Sequence, residues 1–193
     1  MEFDDRQLVR RCQQGDREAF RLLVERYQRK VYRLAFGMVQ NPDDAMDIVQ
    51  EAFIKVHRYI DNFQGNSSFQ TWLYRIASNI CIDHLRRGGR RAAVEYDDEL
   101  RHESDDDPSD GAIQTRTESP ERTLGRKELN GKILEAIEGL SKKHRQVILL
   151  REIEGLSYEE ISEALQINKG TVMSRLHHAR LQLKKKLQSY LSN

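Results

Sequence analysis

A chain of 193 residues, one third of them charged, 38% hydrophobic and only 7% aromatic, suits a soluble, helix-rich protein and supplies too little apolar material for one large core. Its formal net charge of +1 singles out no class of partner. The longest strictly aliphatic run is Val147-Ile148-Leu149-Leu150, and no apolar stretch follows a basic N-terminal region, so a signal peptide and a membrane span are both excluded on length.

The N-terminal block reads as helix throughout. Phe20, Leu23, Tyr27, Val31, Leu34 and Met38 recur at three- and four-residue spacing and build one long apolar stripe. Asn41-Pro42-Asp43-Asp44 then supplies a cap, a proline at the first helical position, and acids over the positive end of the next helix dipole. That helix is expected to bury Ala45, Val49, Ala52, Val56 and Ile60. The turn-forming run Asp61-Asn62-Phe63-Gln64-Gly65-Asn66 breaks it. Ser67 or Ser68 caps the following helix, whose core stripe is Phe69, Leu73, Ile76 and Ile80. The pattern places its end in Arg86, Arg87, two glycines, Arg90 and Arg91, with cations near the last carbonyls.

Residues 92–125 lose all periodicity and hold the densest acidic run, two of the three prolines and many Ser and Thr, so they read as a linker that is disordered in isolation. From Arg126 the helical period returns. Leu129, Ile133, Ile137 and Leu140 form one stripe, and Val147, Leu150 and Ile153 another. Strand-like alternation and internal repeats are absent. The expected fold is all-α: one small helical domain over residues 1–91, an acidic flexible linker over 92–125, and a second small helical domain over 126–193.

Charge follows the same division. Residues 1–91 carry 16 Lys and Arg against 12 Asp and Glu, residues 92–125 carry 3 against 11, and residues 126–193 carry 13 against 8. Two basic blocks around an acidic spacer suit two nucleic-acid-facing modules, and equally an ordinary charged surface interrupted by an acidic loop; charge alone does not choose.

The C-terminal block carries the most specific local pattern, Gly155-Leu-Ser-Tyr-Glu-Glu-Ile-Ser-Glu-Ala-Leu-Gln-Ile-Asn-Lys-Gly-Thr-Val-Met-Ser174. Ser157 with Glu160 makes a capping box, and Ile161, Ala164 and Leu165 face inward. Gln166-Ile167-Asn168 forms a tight turn, Asn168 caps a second helix, and Val172, Leu176, Ala179 and Leu183 bury one side of it. This is the pattern of a helix-turn-helix. With Val172 toward the core, Ser174, His177 and His178 point away, joined at the N-terminal end by Lys169, Gly170 and Thr171; these are the candidates for base edges in a major groove. Arg175 and Arg180 flank that face toward phosphates, and Lys184, Lys185 and Lys186 extend the positive field. The competing reading is a helical hairpin with a solvated basic face. His177 and His178, adjacent and about a hundred degrees apart, have no acid or cysteine at ligand spacing, so no metal is expected.

In the N-terminal block, Trp72, Arg75, Asn79 and Arg86 recur along one rim beside the Phe63–Ser68 loop. An aromatic, an amide and arginines so placed suit stacking and phosphate pairing with single-stranded DNA, although a tryptophan such as Trp72 taken alone is more often simply core. On the preceding helix Asp47, Gln50, Glu51, Ile54 and Arg58 face outward, an isoleucine among polar groups, which describes either a solvated face or a partner surface with an apolar centre.

The segments Asp47-Ile-Val-Gln-Glu-Ala-Phe-Ile-Lys55, Thr71-Trp-Leu-Tyr-Arg-Ile-Ala-Ser-Asn79 and Leu150-Arg-Glu-Ile-Glu-Gly-Leu-Ser-Tyr-Glu-Glu-Ile161 resemble extracytoplasmic-function sigma factors of RNA polymerase. The likeness spans both domains in order, and within the family it points toward the envelope-stress factors of proteobacteria. It implies a sigma-two domain that docks on the clamp helices of core RNA polymerase through residues 47–60, Asp47, Gln50, Glu51, Ile54 and Arg58 among them. The same domain would melt and read the downstream promoter element through the 61–68 loop, with Phe63, Asn66 and Ser67, and through Trp72, Arg75, Asn79, Arg86 and Arg87. A flipped base of the non-template strand is captured there in the family. A sigma-four domain would read the upstream element through residues 155–174 and the helix beyond. The linker would thread the polymerase cleft, and an anti-sigma protein would hold the factor inactive. Met173 stands where the family usually has Arg or Lys, and His178 where Arg is common, so upstream preference is expected to differ from that of relatives.

The main rival is a polymerase-independent helix-turn-helix regulator, which would need a dimerisation or sensor domain that the N-terminal block does not announce. No Walker loop, HExxH or convergent His/Cys/Asp cluster is present, so no enzymatic activity and no cofactor are expected. Cys12 and Cys81 lie far apart and outside any CxxC spacing, which suits two ordinary thiols in a reducing cytoplasm. The expected location is therefore cytoplasmic.

Overall fold

The structure is a computed structural model that describes the backbone of residues 3–95 and 131–191, and the side chains of 3–87 and 131–188. The linker expectation falls almost wholly on residues 96–130, outside the described residues.

Each helix whose preceding residues are described begins where a side chain can satisfy the first free amides. α1 (Asp5–Gln13) opens on a capping box in which Asp4 accepts from the Gln7 amide and Gln7 returns the bond to the Asp4 amide. α2 (Arg17–Val39) is capped by Asp16, which accepts from the Glu18 and Ala19 amides and also pairs with Arg11 at 2.7 Å. It stops at Gln40, whose backbone turns left-handed. α3 (Pro42–Tyr59) is capped by Asn41 as the sequence predicts and ends in a single 3-10 turn, Ile60–Asn62. The choice left open at the next start falls on Ser68, whose hydroxyl accepts from the Thr71 amide at 3.0 Å.

α4 (Phe69–Glu95) is longer than expected. Its backbone runs on through the arginines and both glycines, because Arg, Ala and Glu on either side are helix formers whose gain offsets two glycines at about 1 kcal/mol each. The second block begins with α5 (131–138) and α6 (Lys142–Ile148). α6 passes into a five-residue π-type turn, Leu149–Ile153. That wider turn moves Ile153 off the stripe it shares with Val147 and Leu150, so Ile153 is exposed rather than buried. α7 (Tyr158–Leu165) and α8 (Lys169–Leu191) follow.

α2, α3 and α4 pack on one another around Leu23, Val31, Leu34, Ile48, Val56 and Leu73, with α1 closing one side through Leu8 and Val9. Phe20 and Ile76, expected in the core, are only half-buried; Phe20 sits at the bundle's edge, its ring edge-on to His57 at 5.0 Å. α6, α7 and α8 enclose Val147, Leu150, Ile161, Val172, Leu176 and Ala179. The two blocks also touch, α7 lying along α4, and α6 with the π-type turn that follows it meeting α2.

Candidate nucleic-acid interface

The loop after α3 forms a cavity of about 230 Å³ lined by Asn62, Phe63, Gln64, Gly65, Asn66, Ser67, Trp72, Arg75 and Glu163. Gly65 adopts a positive φ of 73° that turns the loop back on itself, a conformation side chains disfavour. Below the loop an aromatic cluster gives it a floor: Phe63 lies 4.9 Å from Trp72, Trp72 6.0 Å from Phe69, and Phe69 5.4 Å from Tyr27. Trp72 therefore satisfies both readings, buried to 8% exposure and still lining the cavity. Gln13, at the end of α1, donates from Nε2 to the carbonyls of Ile60 and Phe63 at 2.9 and 3.0 Å. This brace was not foreseen, since a glutamine closing a helix carries no signal of a partner some fifty residues away.

Arg75 is half-buried in the cavity wall. Asn79, exposed one turn farther along α4, is not among the lining residues. Arg86 and Arg87 are exposed about 16–18 Å beyond Arg75 along the helix, Arg86 paired with Asp83 at 3.0 Å. The structure thus gathers Phe63, Asn66, Ser67, Trp72 and Arg75 at one place and strings Asn79, Arg86 and Arg87 along the helix leading away.

On α3, Asp47, Gln50, Glu51, Ile54 and Arg58 are all exposed, Ile54 to 59%. Glu51 pairs with Lys55 at 2.9 Å. Beside them a groove of about 430 Å³ is lined by Phe20, Gln50, Phe53, Ile54 and His57. Met46 and Tyr59 add exposed apolar surface to the same helix. Sequence reasoning found the isoleucine because it stands among polar residues; it missed Phe20, which its spacing assigns to the core, and Phe53, which it placed on neither face.

In the second block the capping box of Ser157 and Glu160 is formed, at 3.1 and 2.8 Å. Gln166 makes the left-handed turn, Ser162 donates to the Ile167 carbonyl, and Asn168 accepts from the Thr171 amide at 2.7 Å. On α8 Gly170, Ser174, His177 and His178 are exposed, while Thr171 and Arg175 are half-buried. Two of the proposed DNA cations are engaged within the block: Lys169 with Glu159, and Arg180 with Glu152 at 2.7 Å. That pairing raises the Arg180 pKa, chiefly through the hydrogen bond to Glu152. The His178 ring lies 6.3 Å from His144 of α6 and 5.6 Å from His177. Even so, no group of three or more His, Cys, Asp or Glu among the described residues is arranged to hold a metal ion. Met173 and Leu181 are exposed apolar residues on this helix. Among the described residues no helix is long and apolar enough to cross a membrane.

Residues 23–91 match Sigma-70 region 2, and residues 130–183 match Sigma-70, region 4. The chain is 43% identical over 187 residues to the RNA polymerase sigma-H factor of Pseudomonas aeruginosa, covering 97% of this chain and 95% of that one. It is also 43% identical over 184 residues to the ECF RNA polymerase sigma-E factor of Escherichia coli, covering 95% and 94%. Among solved structures, CnrH in complex with the cytosolic domain of CnrY superposes with a TM-score of 0.70 at 24% identity, over 96% of this chain and 97% of that one. The sigma factor RpoE in complex with the anti-sigma factor NepR from Bartonella quintana gives 0.66 at 22%, over 88% and 96%. These two share the fold. The two matched regions in order, with relatives at this identity along nearly the whole chain, show that the protein belongs to the sigma-70 family, in its extracytoplasmic-function (ECF) group.

Proposed function

We propose that this sigma factor binds core RNA polymerase through the outward face of α3, melts and reads a downstream promoter element at the 62–67 loop, and reads an upstream element with α8. The observation that carries the reading is the loop cavity itself. It joins an aromatic floor, amide groups and the Arg75 cation at the head of a helix inside the region-2 match, which is what a single strand with an unstacked base requires. Ile54 and the groove beside it supply an apolar centre, and the exposed Asp47, Gln50, Glu51 and Arg58 lie three, four or seven residues from Ile54 on the same helix, as on a protein-docking surface. We assign residues 1–91 to polymerase and downstream-element binding, 92–125 to an acidic linker, and 126–193 to upstream-element binding, with an anti-sigma protein as regulatory partner, no enzymatic role and a cytoplasmic location. A polymerase-independent regulator gains no support, since both blocks match sigma regions.

The test is reconstitution. The purified chain added to core polymerase should yield a holoenzyme that initiates at a defined set of promoters, with melting detected by permanganate at the downstream element. Charge reversal at Asp47 and Glu51 together should weaken core binding with helicity intact. Core affinity left unchanged by that variant sinks the α3 assignment, and specific binding of the chain alone to duplex promoter DNA, with no holoenzyme formed, sinks the whole reading.

A further inference from the structure

We propose that in the free chain the downstream-element cavity has an intramolecular partner: the region-4 block docks on the region-2 block through Glu154 and places α7 against the cavity, shutting it to single-stranded DNA until the blocks part. The occlusion rests on the reading of that cavity given above; the docking does not.

Glu154 is the centre of the contact. Its side chain is 1% exposed, and every side-chain bond it makes is to the other block. Arg33 of α2 donates to its two oxygens from Nε and Nη2 at 3.1 and 3.2 Å, and the hydroxyl of Tyr74 on α4 donates to one of them. A carboxylate withdrawn from water is tolerated only where donors replace its hydration, and here both donors come from a separate module. Tyr74 is itself wholly buried, so parting the blocks would take from this phenol its carboxylate acceptor.

Three further contacts have the same sense. Arg145 donates at once to the Glu138 carbonyl of its own block and, at 2.8 Å, to the Met38 carbonyl in the last turn of α2. Lys142 donates to the Leu85 carbonyl at 2.9 Å. Leu149 sits over Gly37, where an added Cβ would lie 2.6 Å from its Cδ2, so α2 is bare where the leucine rests. The consequence falls on the cavity, whose lining includes Glu163 of α7 together with Trp72 and Arg75. An acid held beside the arginine that would meet a phosphate repels a polyanion, and the helix bearing it takes the space a strand would need.

The experiment uses the full free chain. Small-angle scattering should find wild type compact and Glu154→Lys expanded at unchanged helicity. Arg33→Glu combined with Glu154→Arg should restore compactness, the reciprocal behaviour of a coupled pair. Gly37→Leu, an uncharged wedge under Leu149, should also expand the chain. A labelled non-template strand from a promoter the holoenzyme transcribes should bind the opened variants about tenfold more tightly, the factor expected if the wild-type cavity is open a tenth of the time. Wild type as expanded as Glu154→Lys overturns the docking, and so does a Glu154→Lys chain as compact as wild type. An expanded variant that binds the strand no better, while its holoenzyme still melts the promoter, overturns the occlusion. If that holoenzyme also fails to melt, the reading of the cavity falls and the docking stands.

Discussion

Gln13 works at a distance in sequence, holding two loop carbonyls with one amide group. Gln13→Leu keeps the size and removes the donor, with a loss of about 1–2 kcal/mol in loop stability for two partly exposed bonds. The expected result is reduced permanganate reactivity at the downstream element with core affinity unchanged; equal loss of both would make Gln13 a general fold residue. The two thiols behave alike. Both cysteines are free and buried, and desolvation first of all pushes Cys12 up to about 11 and Cys81 up to about 12. Neither is a thiolate near neutral pH, so iodoacetamide should leave the folded chain unlabelled and modify both in denaturant. On α8, His178→Arg should change upstream base preference by about 1–3 kcal/mol per affected pair, whereas Arg180→Ala should weaken all sequences alike, as measured with holoenzyme on a mutated promoter panel. Arg180 is held by Glu152 on one flank, and that position suits an anchor better than a reader.

At the scale of elements the caps were legible because they are local: Asn41, Ser157 with Glu160, and Asn168 act within three residues of themselves. Ser157→Ala should cost about 1 kcal/mol in the second block, read as a lowered urea midpoint. The start of α2 predicts a pH dependence. Asp16 is held below the usual carboxylate range first by the Ala19 amide and then by Arg11, and Glu18 by Arg21. A folded-state value below the unfolded one means stability that is present above the unfolded pKa and lost as pH falls through the folded one. Urea midpoints should therefore drop as pH falls from roughly 5 to 3, and Asp16→Asn should begin lower and fall less steeply. Stripes proved less reliable than caps. Phe20 and Ile153 fit their periods, yet one lies at the bundle's edge beside His57 and the other on a turn wider than the period assumes.

The whole molecule couples two blocks that the sequence presents as independent. If Glu154 ties them, calorimetry of wild type should show one merged unfolding transition and Glu154→Lys two, because uncoupled domains melt separately. By itself the sequence determined what short-range physics sets: helices from their apolar period, their starts from capping side chains, a helix-turn-helix from cap, turn and cap, and two basic modules either side of an acidic run. It also singled out Phe63, Trp72 and Arg75, whose neighbourhood is a loop and the first turns of one helix. Only the tertiary structure decided that Gln13 braces that loop, that Glu163 lines the same cavity, and that Glu154 is buried against Arg33, 121 residues away in the chain. The reason is physical: a glutamate in a turn looks solvated in any local window, and whether it is buried depends on which distant surface brings the donors that replace its water.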